Sequence, residues 1–154
     1  MIQRVQTLYL LVVTILVGFF FFVPFSTFVV KPQMVKYLLM ATGLSTSGLN
    51  QEVIYPIWAL LILVILVCTI PFITIFLFKK RMLQIRLCIV SIILLLGLQG
   101  LLYYTVVAIG KQLSAEPSYS IIFIFPVISA ILTFLALRAI AKDEALVRSL
   151  DRLR

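Results

Sequence analysis

Four stretches of this chain hold eighteen or more consecutive residues without a charge: 8–28, 57–78, 87–107 and 120–137. No other feature limits the fold so strongly. A helix crossing the hydrocarbon core, about 30 Å thick, needs roughly 20 mostly apolar residues, and each stretch supplies that or nearly that. Helix is the only form open to such a segment, because an unpaired backbone group in lipid costs several kcal/mol. The chain is 64% hydrophobic, against about 45–50% for a soluble domain, so lipid must solvate much of its surface. The expected fold is therefore all-α and integral to a membrane. A single four-helix domain occupies 1–154, and the fourth helix continues into a tail at 138–154. The first apolar run exceeds the 7–15 residues usual in a signal peptide and no A-x-A-like site follows it, so it reads as a retained span.

Orientation follows from the basic residues, which gather on the cytoplasmic side of membrane proteins. One set of flanks carries ten: Arg4, Lys79, Lys80, Arg81, Arg86, Arg138, Lys142, Arg148, Arg152 and Arg154. The opposite set carries three: Lys31, Lys36 and Lys111. Both termini are then expected inside, with a short inner loop "KKRMLQIR" and outer loops at 29–56 and 108–119. The net charge of +8 is accounted for by topology. The bases lie on three short segments with no nucleic-acid-binding motif, so no nucleic-acid partner is expected. Tyr55, Trp58, Tyr103, Tyr104 and Tyr119 fall at the outer ends of the spans and Tyr9 at an inner end, where amphipathic rings prefer to sit.

The inventory of reactive groups is thin. There is no His, and the two Cys lie inside apolar runs, which argues against a zinc or haem site. No cofactor is expected. Cys68 and Cys88 differ in depth by roughly two helical turns at 1.5 Å per residue, too far for a disulfide, so both are expected as free thiols. The outward acids are Glu52 and Glu116, one on each loop. Catalysis needs a titratable group near its working pKa, and nothing here supplies one, so the expected role is not enzymatic. Pro24, Pro71 and Pro126 predict static kinks, which membrane helices tolerate. Gln99, beside Gly97 and Gly100, is the most polar side chain deep in a span; an interhelical bond to the hydroxyl of Thr69 or Ser129 is expected. In the first outer loop, "MVKYLLM" and "EVIYP" flank a Gly43–Gly48 turn signal. That pattern predicts a short β-hairpin or an interfacial cap leaning on something larger.

The tail "RAIAKDEALVRSLDRLR" holds eight of the eighteen charged residues. Leu146, Leu150 and Leu153 fall at i, i+4 and i+7, one helical stripe, and Glu144 precedes Arg148 by four, the favourable order for a pair. Three coverings suit that stripe: the inner leaflet, the "KKRMLQIR" loop, or a partner protein. A lipid-binding helix usually has a more basic face. The mixture of three acids with five bases favours specific pairing through Asp143, Glu144, Leu146, Arg148, Leu150, Asp151, Arg152 and Leu153. Arg4 is expected on the same side.

The two ends together carry a resemblance. "MIQRVQT" at Met1–Thr7 and "KDEALVRSLDRLR" at Lys142–Arg154 resemble the start and finish of a family of four-span bacterial inner-membrane proteins known as a domain of unknown function. The resemblance implies four helices and a bacterial inner membrane, and it brings no activity or catalytic residue with it. The expected function is that of a small integral subunit or scaffold in a larger complex, with the bilayer and other membrane or cytoplasmic proteins as partners. The alternative is an oligomeric transporter or channel, with Gln99, Ser91, Thr69 and Ser129 lining a path between copies.

Overall fold

The computed structural model describes residues 3–30, 35–46, 53–77 and 80–151, with side chains withheld at 3–4, 53–55 and 147–151. Four helices form its body: α1 (Gln3–Gly18), α2 (Trp58–Phe76), α3 (Arg81–Leu113) and α4 (Phe125–Asp151). Each packs on its neighbours in chain order, and α4 closes the ring on α1. The short connections at 77–80 and 114–124 force α2, α3 and α4 to run antiparallel in turn. Three helical stretches, Trp58–Phe76, Arg81–Leu113 and Ile121–Leu146, are long and apolar enough to cross a membrane; the apolar part of the first helix, Val5–Phe21, is shorter. Many side chains of these helices, such as Ile62, Ile93 and Phe134, face outward from the bundle, as expected of surfaces that lipid covers.

Five strands accompany the helices, so the all-α expectation is corrected. β1 (Ser26–Val30), β2 (Val35–Met40), β3 (Gly43–Thr46) and β4 (Val53–Pro56) lie between α1 and α2, and β5 (Pro117–Tyr119) lies between α3 and α4. They make one antiparallel sheet in the order β4-β3-β2-β1-β5. The antiparallel bundle brings the α1–α2 and α3–α4 connections to the same end, which lets β5 pair with β1: Ser26 faces Tyr119 and Phe28 faces Pro117. A two-stranded hairpin is marginal alone, whereas more strands with a covered apolar face are not. Here Phe28, Leu39 and Leu44 from the sheet share one buried core with Leu60, Leu102 and Val106 from the helices.

Several expected boundaries move for physical reasons. The first helix ends at Gly18, continues as a 3-10 turn through Phe21, and gives way to β1 by Ser26. Pro24 cannot continue a helix hydrogen-bond ladder, and the β-branched run "STFVV" fits a pleated surface. The expected span 8–28 is thus too long at its second end. The "KKRMLQIR" loop is largely helix, because α3 starts at Arg81, and the 108–119 loop is helix to Leu113. In the expected Gly43–Gly48 turn, Gly43–Thr46 is strand and a tight turn precedes it at Ala41–Thr42, while Ser47 and Gly48 lie outside the described residues. Gly43 adopts φ 135° there, a conformation open to glycine at little cost. Pro71 lies buried inside a continuous α2, and Pro126 occupies the first turn of α4, where a missing N–H is harmless.

Candidate functional site

At the end of the bundle opposite the sheet, polar side chains from several helices meet. α1 carries Gln6 into the interior, where only 6% of its surface is exposed. Its side-chain amide Nε2 donates to the carboxylate Oδ2 of Asp143 on α4, at 2.5 Å. The two residues are 137 positions apart in sequence. Arg81, in the first turn of α3, reaches the same place, its guanidinium donating to the Asp143 carbonyl oxygen at 3.4 Å. One turn further along α3, Gln84 is buried and donates through Nε2 to the Thr74 carbonyl near the end of α2. That carbonyl is one of the last of its helix and also accepts the Leu77 backbone N–H at 3.3 Å. Asp143 and Thr74 therefore serve as anchoring points that fix all four helix ends relative to one another. Immediately below them, Leu10, Cys88, Ala136 and Ile140 make a separate buried apolar cluster.

Asp143 is thus a contact within the chain, half-buried against α1 and α3. Glu144 beside it is half-buried as well. The next two residues are exposed, Leu146 to 50%, as Ala141 and Lys142 are one turn earlier. The remaining expected contact residues, Arg4, Arg148, Leu150, Asp151, Arg152 and Leu153, have side chains outside the described residues. Gln6, Arg81 and Gln84 were not among the expected contact residues. Gln6 and Arg81 belong to the charged or polar flanks that sequence reading assigned to this side, which is the signal that pointed towards them.

Within the bundle the expected interhelical bond of Gln99 is not formed. The Gln99 side-chain oxygen is covered and has no hydrogen-bond partner among the described residues, and neither has the buried Ser129 hydroxyl. Thr69 is exposed and donates to the Leu66 carbonyl of its own helix. The buried Ser91 hydroxyl is likewise unpartnered. A covered acceptor without a donor costs about 1–3 kcal/mol. Gln99→Leu is therefore expected to leave the protein as stable or to stabilise it by up to about 2 kcal/mol, measured as denaturant resistance in micelles; a loss of that size would show a bond that the bundle hides. Cys68 and Cys88 are free thiols, as expected from their depths. Among the described residues no group of His, Cys, Asp and Glu is placed to hold a metal ion.

The family model for a domain of unknown function, DUF4293, matches residues 2–153, nearly the whole chain. The chain belongs to this family. The Gln6–Asp143 bond joins the two ends of this DUF4293 protein, and each end lies within the matched region. Comparison of the DUF4293 chain with curated proteins finds no match.

Proposed function

We propose that this DUF4293 protein is a small integral scaffold or accessory subunit of a larger membrane complex, with no chemistry of its own. The observation that carries the reading is the anchoring of α4 at Asp143, with helix continuing beyond it to Asp151. Up to that residue α4 is tied into the bundle by Gln6 and Arg81. Ala145 and Leu146 beyond it are exposed, and α4 extends to Asp151. A helix held rigidly at its root and continued past its own bundle is suited to presenting a surface. Its sequence beyond the root pairs acids with arginines and spaces its leucines at helical intervals, features that recognise a protein more readily than a lipid surface. The preferred occupant of that surface is a cytoplasmic or membrane-bound protein partner.

The membrane reading completes the picture. The ten bases that the sequence puts on one side of the spans, against three on the other, support cytoplasmic termini by the positive-inside rule, with the sheet on the outer face of a bacterial inner membrane. The first helix is the fourth span of this arrangement. Val5–Phe21 is 17 residues, about 25 Å at 1.5 Å per residue, and its buried face of Val13, Val17 and Phe20 packs within the same core as the three longer helices. The residues beyond Leu137 form the cytoplasmic amphipathic tail.

The transporter alternative draws less support. Ser91 and Ser129 are buried within a single copy and Thr69 faces away from the bundle, so the four polar residues do not share one surface between copies. Extraction in mild detergent followed by sizing tests the scaffold reading. The expected result is a particle well above the 17.4 kDa chain plus its micelle, containing other proteins. A free monomer or a pure oligomer of this chain alone would contradict it.

A further inference from the structure

At the sheet end, where α3 meets β5, there is an open groove of about 360 Å³. Val106, Val107, Gly110 and Pro117 line it with apolar surface, and Lys111 and Glu116 complete its lining. The local backbone builds it. α3 ends at Leu113, Ser114 adopts a left-handed φ of 47°, and the Ala115 N–H bonds back to the Gly110 carbonyl at 3.1 Å. This reversal returns Glu116 to the side of the helix that bears Lys111. Gly110 keeps the floor low, since a Cβ there would meet the Ala115 oxygen at 3.3 Å and the Phe28 ring at 3.6 Å. Lys111 and Glu116 are exposed, and neither has an ion-pair partner within 4.0 Å among the described residues.

The depth of the groove decides its ligand. The uncharged run of α3 from Leu87 to Gly110 has 24 residues, about 36 Å long at 1.5 Å per residue, against a hydrocarbon core of about 30 Å. On the membrane reading proposed above, on which this inference rests, Lys111 is the first charge above the hydrocarbon, with the exposed Tyr103 and Tyr104 rings just beneath it. The groove thus has an apolar wall towards the acyl chains and two opposite, unpaired charges at headgroup level.

We propose that this groove binds a glycerophospholipid whose headgroup carries both a phosphate and a primary ammonium. Lys111 donates to the phosphate, Glu116 accepts from the ammonium, and the glycerol and upper acyl region rest on Val107 and Pro117. A purely anionic headgroup leaves Glu116 unpaired beside a negative charge. A quaternary ammonium has no N–H to donate to the carboxylate, whereas a primary ammonium has three.

Native mass spectrometry of the full chain tests this, with phosphatidylethanolamine, phosphatidylcholine and phosphatidylglycerol titrated at matched acyl composition. Phosphatidylethanolamine is expected to be retained about three- to fivefold better than the other two, the range set by one partly exposed charge pair. Lys111→Glu and Glu116→Lys are each expected to abolish that preference. Val107→Phe, which keeps both charges and fills the groove, is expected to weaken retention of the preferred lipid. Equal retention of all three lipids by the unaltered chain, or a preference unchanged in all three variants, overturns the proposal. Full competition by water-soluble glycerophosphoethanolamine overturns the assignment to a lipid. Insertion of the same protein into lipid nanodiscs is scored separately, so failure of the membrane reading is seen as failure to insert rather than as lost lipid preference.

Discussion

Replacing Phe28 by alanine is expected to destabilise the protein by about 3–5 kcal/mol, the usual cost of emptying a buried phenyl site. The effect is large because of where the ring sits. Phe28 is fully buried and central in β1, facing Tyr37 on β2 and Pro117 on β5. It belongs to the core that joins the sheet to Leu102 and Val106 of α3. Removing it leaves a cavity at the junction of sheet and bundle, where both the β1–β5 pairing and the end of α3 depend on the same contact. Val29→Ala, one residue on and facing outward, is the control and should change stability by less than about 0.5 kcal/mol. Denaturant unfolding in micelles compares the two. Equal effects would show that the sheet is not packed on the helices.

The second large effect is expected at the opposite end. Gln6→Ala and Asp143→Ala should each cost about 1–3 kcal/mol, since each removes a hydrogen bond to a charged group. Asp143→Ala also leaves a buried amide without its acceptor. The double variant should cost little more than either single one, giving a coupling energy of about 1–2 kcal/mol for groups in direct contact. Lys142→Ala, exposed and adjacent, should be near neutral. Additive single effects would show that the two ends of the chain are not joined through this bond.

These two sites differ in how far the sequence alone reveals them. The apolar runs declare the helices because a span of lipid leaves no alternative, and the unbroken runs around Leu63, Leu95 and Leu132 place three of them well. The sheet is harder to read. Its strands follow a run of phenylalanines and a proline, carry β-branched and apolar residues on both faces, and close with three residues of a distant segment, Tyr119 pairing with Ser26 from 93 positions away. Periodicity acts over neighbouring residues, so it cannot show that Pro117–Tyr119 completes a sheet begun at Ser26. The same limit hides the bond between Gln6 and Asp143. Their setting was legible even so: both lie in the polar ends of the chain, on the side that the basic residues mark. Gln99 shows the opposite case, in which a polar residue inside a span suggests a cross-helix bond that the packing does not provide.

We propose that α4 beyond Asp143 presents a surface for a protein partner. Affinity purification of the tagged full chain in mild detergent, beside a chain ending at Ala145, tests it most directly. The shortened chain keeps Gln6, Arg81, Asp143 and Glu144, so the bundle end remains tied and only the projecting segment is lost. Partner proteins are expected with the full chain and are expected to be lost, by tenfold or more in recovered amount, from the shortened one, about 1.4 kcal/mol or greater in binding. The same partners in the same amounts from both chains would contradict it.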